Sequence, residues 1–92
     1  MNIYNNLGKD FYLNKIQSEI NGLENEFLQN TEELDNIHYK ILDIPYGTRT
    51  KNNPVWYELN RRRIRLSQRN IIIQKHLKNL RAEYTKYETM QI

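Results

Sequence analysis

The chain has 92 residues, a net charge of +3, 38% apolar residues and 27% charged residues. A chain of this length makes one domain at most, with a thin core of the kind that small proteins often complete by oligomerisation. It contains no cysteine, which excludes disulfides, thiolate chemistry and cysteine-ligated zinc.

Three glycines and two prolines beside that charge content suit solvent-exposed helices better than sheets or disorder. No apolar run approaches the roughly 20 residues that span a bilayer. Met1 to Asn6 show no basic region followed by an apolar stretch, so no secretory signal is expected. Cytoplasm is the expected compartment, and no membrane partner is expected. Asparagine, isoleucine, lysine and tyrosine are abundant while Ala82 is the single alanine. Such usage points to an AT-rich genome, such as a low-GC bacterium or one of its phages.

The net charge hides an asymmetry. Residues 1–46 hold three Lys/Arg against eight Asp/Glu, and residues 47–92 hold eleven against three. The two halves therefore carry −5 and +8, a polarity that any architecture has to accommodate.

Residues 1–10 read as a lead-in. Ile3, Tyr4 and Leu7 have helical spacing, Gly8 interrupts, and Asp10 is a fair N-cap for a new helix opening at Phe11. A short N-terminal helix followed by a long helix over 11–44 is expected. In that long helix the seam runs Leu13, Ile16, Ile20, Leu23, Phe27, Asn30, Leu34, Ile37, Ile41, Ile44. Alternating steps of three and four, with one polar member, make a sustained heptad pattern. Pro45 stops it.

Residues 45–55 are loop chemistry, ending in Asn53-Pro54, an N-cap followed by proline at the first helical position. A second helix over 56–90 carries the seam Trp56, Leu59, Arg63, Leu66, Asn70, Ile73, Leu77, Leu80, Tyr84, Tyr87. The expected fold is all-α: one domain over 1–92, a long antiparallel two-helix hairpin resembling a coiled coil, dimerising into a helical bundle. Each helix would be about 45–50 Å long at 1.5 Å rise per residue.

The two seams test each other, because antiparallel partners have a constant sum of residue numbers. Pairing Ile44 with Trp56 gives 100, and every other seam residue then meets a seam residue. Asn30 falls opposite Asn70, where two amides can satisfy each other and fix the register. On one flank Glu19, Glu26 and Glu33 face Arg62, Arg69 and His76, with Glu33 in reach of Arg69 and Glu26 of His76. On the other flank Leu28, Leu42, Tyr57, Ile64 and Ile71 form an apolar stripe. Stripes of this kind mark contact surfaces. Residues 1–10, a second copy or another protein would cover it, and a homodimer through Leu28, Leu42, Ile64 and Ile71 is expected.

The densest chemical feature is Arg61-Arg62-Arg63-Ile64-Arg65, with Arg69 a turn on, Arg49 and Lys51 in the loop, and Trp56 and Tyr57 between them. Arginine forks beside aromatic rings suit phosphates, nucleobases or carboxylates. The plainer reading is neutralisation of the acidic first helix. Arg63, at a seam position, is expected to pack its stem and turn its head outward beside Glu33 or Asp35.

Asp35 and His38 have the i, i+3 spacing of helical metal ligands. The second such motif and the inward carboxylates of a di-metal bundle are absent. Ser18 and Ser67 have no histidine in register. No catalytic residue, metal or cofactor is expected.

Tyr84-x-x-x-Glu88 is similar to the loose tail motif of secreted WXG-type hairpins, but Tyr57 and Glu58 follow Trp56 where that family has its Trp-x-Gly turn. The functional expectation is a small non-enzymatic interaction module. Its size and composition suit a phage or mobile-element regulator that binds an acidic surface on a host protein. Its basic tip (Arg49, Lys51, Trp56, Tyr57, Arg61, Arg62, Arg65, Arg69) or its apolar flank would make the contact. The alternative is nucleic-acid binding through the arginine-rich end of the second helix.

Overall fold

The computed structural model describes residues 3–90, with side chains described from Gly8 onward. Helix α1 spans Ile3–Leu42, a 3-10 turn spans Tyr46–Thr48, and helix α2 spans Pro54–Glu88. The two helices form an extended hairpin measuring 70 × 15 × 15 Å. Among the described residues there is no strand.

Helix α1 differs from its expected start. It is continuous through Gly8 and Asp10, so the described residues contain no separate N-terminal helix and Asp10 caps nothing. An isolated glycine costs a helix about 1 kcal/mol, which weakens it without ending it. Tertiary contacts at the open end outweigh that cost. The Tyr12 ring stacks on Tyr87 with centroids 4.7 Å apart, and the Tyr12 hydroxyl donates to Glu83 Oε1 at 3.2 Å. Lys9 Nζ donates to the carbonyls of Glu88 (2.9 Å) and Met90 (3.1 Å), supplying a cation where the last carbonyls of α2 need donors. Residues 3–10 prolong the rod and do not fold back over its flank. At 40 residues and 1.5 Å rise per residue, α1 is about 60 Å long.

Helix α1 ends at Leu42, two residues before the expected limit. Ile44 N donates to Ile41 O at 3.0 Å, the tighter bonding common in a last turn. Helix α2 opens at Pro54, with Asn53 Oδ1 accepting from Val55 N (3.1 Å) and Trp56 N (3.3 Å), as its Asn-Pro start leads one to expect.

The seam lies where the constant-sum rule puts it. Ile16, Ile20, Ile73, Leu77 and Leu80 form the buried cluster, with Leu23, Phe27, Tyr84 and Tyr87 packed against it. Ile37 and Leu59 are buried nearer the loop. At the centre Asn30 Nδ2 donates to Asn70 Oδ1 at 3.0 Å, and Asn70 Nδ2 reaches Thr31 Oγ1 at 3.4 Å. No buried side-chain polar atom among the described residues lacks a partner. Arg63 is exposed, and its head bonds Asn60, its neighbour one turn back, in place of either acid expected for it.

Two changes test this register. Cysteines replacing Leu23 and Leu77 should bridge within one chain under mild oxidation, whereas preferred bridging of position 23 to position 73 or 81 would refute the alignment. Asn70→Leu alone strands the Asn30 amide and should cost about 1–2 kcal/mol. Asn30→Leu with Asn70→Leu should restore or exceed the parent stability in urea unfolding.

Candidate interaction surface

The hairpin has two unlike flanks, and both follow from heptad position. On the first, residues seven apart on α1 meet residues seven apart on α2, always with a sum of 95. Tyr12 meets Glu83, Glu26 meets Arg69, and Glu33 meets Arg62. Glu19 and His76 occupy the remaining rung of this row.

The flank is the expected one, but its rungs are displaced by one heptad. Glu33 pairs with Arg62 in place of Arg69, and Glu26 with Arg69 in place of His76. An extended arginine reaches either of two acids a heptad apart, so residue type and spacing leave the choice open. The Glu26–Arg69 pair is bidentate, at 2.6 and 2.9 Å, the geometry that makes arginine–carboxylate contacts strong and directional. The Arg69 guanidinium holds the Glu26 carboxyl below the usual carboxylate range.

On the second flank Glu24 pairs with Arg81 at 3.3 Å, near the open end. Toward the loop this flank loses its ion pairs and becomes the apolar stripe. Leu28 (61% exposed), Leu42 (53%), Ile64 (46%) and Ile71 (52%) stand in solvent, as does Tyr57. They are too uncovered to add to the hairpin's own core. A shallow groove lined by Glu24, Phe27, Leu28, Gln74, Leu77 and Arg81 continues the stripe.

The tip residues divide into engaged and unengaged groups. Arg49 Nε donates to Ile44 O at 3.0 Å, and its guanidinium lies 5.3 Å over the Tyr46 ring, so Arg49 helps close the loop. Trp56 is half-buried at the end of the seam, and Lys51 and Tyr57 are exposed. Arg62 and Arg69 are held by Glu33 and Glu26. Arg61 and Arg65 are exposed one helical turn apart on the outer side of α2, and neither has a carboxylate partner among the described residues.

The contacts of Lys9, Tyr12 and the Glu24–Arg81 pair were not expected from sequence. The signal for Tyr12 is its place seven residues before Glu19, in the same row as Glu26 and Glu33.

The described residues contain no group of three or more His, Asp or Glu side chains arranged to hold a metal. No described helix is long and apolar enough to cross a membrane. The chain matches no family model, no curated protein and no solved structure.

The paired row makes stability depend on pH at both ends of the scale. The folded-state pKa of Glu26 lies below its ordinary 4.5. Its contribution is therefore complete above that value and is lost as pH falls through the lowered one. Tyr12 is raised above 10.0, chiefly by its hydrogen bond to Glu83. Its contribution is complete below that value and is lost as pH rises through the raised one. Both groups are solvent-exposed, so both effects should be small and weakened by salt. Melting curves should show Glu26→Gln below the parent at neutral pH and converging with it in acid. Tyr12→Phe should converge with the parent only in strong base.

Proposed function

We propose that this chain is a non-enzymatic helical interaction module that binds an acidic protein surface through the outer side of α2 at the loop end, and that it works as a homodimer joined along the apolar flank. The reading rests chiefly on the division of the arginines. Five of them lie at 61–69 on α2: Arg62 and Arg69 are neutralised by α1 glutamates, Arg63 bonds Asn60, and Arg61 and Arg65 are left unengaged. Two fork-shaped cations one turn apart suit carboxylates presented by another protein. Tyr57 and Trp56 stand close by in sequence to add apolar contact. A duplex-binding surface would call on many cations at once, and committing Arg62 and Arg69 internally works against that.

Dimerisation draws support from the exposed stripe, since a rod this thin buries little apolar area within one chain. The size and composition fit a small regulator of phage or mobile-element type, acting in the cytoplasm on a host protein.

Arg61→Glu with Arg65→Glu should leave helicity and melting nearly unchanged, because both side chains face solvent. The same change should abolish recovery of a protein partner in a pull-down performed with nuclease present. Recovery that requires intact nucleic acid, and that falls steeply with salt, would move the function to nucleic-acid binding. Binding that survives the charge reversal but fails with Ile64→Glu and Ile71→Glu would move the contact to the apolar flank.

A further inference from the structure

We infer that a second copy of this chain covers the apolar flank in antiparallel fashion, with a two-fold axis crossing the rod at Ile64 and the two basic tips at opposite ends. The inference deepens the dimeric reading above and rests on it. The register fixed by the Asn30–Asn70 bond also fixes the heights of the flank residues. Leu28 is level with Ile71, and Leu42 is level with Tyr57 two heptads nearer the loop. Ile64 lies midway between those levels, beside Asp35. A two-fold at Ile64 therefore sets Ile64 against its own copy, Tyr57 against Ile71, and Leu42 near Leu28, all apolar.

Charge then favours the antiparallel arrangement over the parallel one. Asp35 is the one acid inside the stripe. In a parallel pair it would face Ile64 of the second copy, an unpaired charge against an apolar partner, which is costly. A parallel pair would also bring the two arginine-rich tips together. In the antiparallel pair the axis passes beside Asp35, which is level with Ile64, so both copies of Asp35 lie near the axis with each His38 one turn nearer its own loop. Each Asp35 then lies within one helical turn of the other copy's His38, twice over by symmetry, and this imidazole offsets the approach of the two carboxylates. Asn60 and Ser67 straddle the axis on α2, which matches polar with polar. The same placement lays the loop end of each copy over the groove beside Phe27, Leu28 and Leu77 of the other.

The chain has no cysteine, so single substitutions report cleanly. Ile64→Cys, checked for folding by circular dichroism, should form a disulfide-linked dimer under mild oxidation. A mixture of Tyr57→Cys and Ile71→Cys chains should cross-link to each other. Spin labels at Asn52→Cys, in the loop at the tip, should lie about 40 Å apart, from 1.5 Å rise over the residues between tip and axis. A monomer in sedimentation overturns the dimeric reading and this inference with it. A dimer whose tip labels lie within about 20 Å, two helix diameters, and whose Ile64→Cys chains do not link, overturns the antiparallel arrangement alone and leaves the dimer standing.

Discussion

The hydrogen bond from Asn30 to Asn70 sets the heights of all other cross-helix contacts in this hairpin. An apolar seam by itself is nearly indifferent to sliding, because isoleucine against leucine resembles leucine against isoleucine one heptad along. Two amides are not indifferent. Moving either past the other would leave both inside the seam without partners, at a cost of about 1–3 kcal/mol for each unsatisfied group. That penalty converts a sticky stripe into a defined register. From it follow the buried cluster of Ile16, Ile20, Ile73, Leu77 and Leu80 and the ladder of glutamates and arginines along one flank.

The heptad seam, the turn at Pro45 and the cap at Asn53 are all legible from residue type and spacing, since each depends on interactions local to the chain. The constant-sum rule extends that reading across the hairpin, because two rigid helices of equal rise leave a single number to determine. The reading falls short where long flexible side chains choose among partners. Glu26 and Glu33 lie on the anticipated flank, yet Glu33 takes Arg62 in place of Arg69 and Glu26 takes Arg69 in place of His76, each a heptad from the partner nearest in height. It also falls short at Gly8. A local penalty suggested a break there, and contacts some 80 residues away in sequence, between Lys9 and the end of α2, keep the helix whole. The candidate surface was legible as a set of residues. Which arginines are engaged was not, because that depends on the same flexible pairing.

The two flanks also divide the chemistry of the rod. One is laced with ion pairs and is satisfied by its own chain. The other carries its large apolar residues 45–61% exposed and, among the described residues, has an ion pair only near the open end. The −5 and +8 halves of the sequence meet mainly on the first flank and once, at Glu24–Arg81, on the second, with Arg61 and Arg65 among the surplus.

A hairpin closed by one short loop also orders its own assembly. The layers beside Pro45 and Asn53 join residues close in sequence, so they close with the smallest loss of chain entropy. Each layer farther out encloses a longer loop until the earlier layers have formed. Folding should therefore zip outward from the turn. Changes at Leu59 or Ile37 should slow it, and changes at Tyr12 or Tyr87 should mainly hasten unfolding. The long α1 gives this zipper an open end held by exposed contacts, the tyrosine stack and the Lys9 cap. Amide protons there should exchange first, by fraying that leaves the asparagine pair and the tip intact.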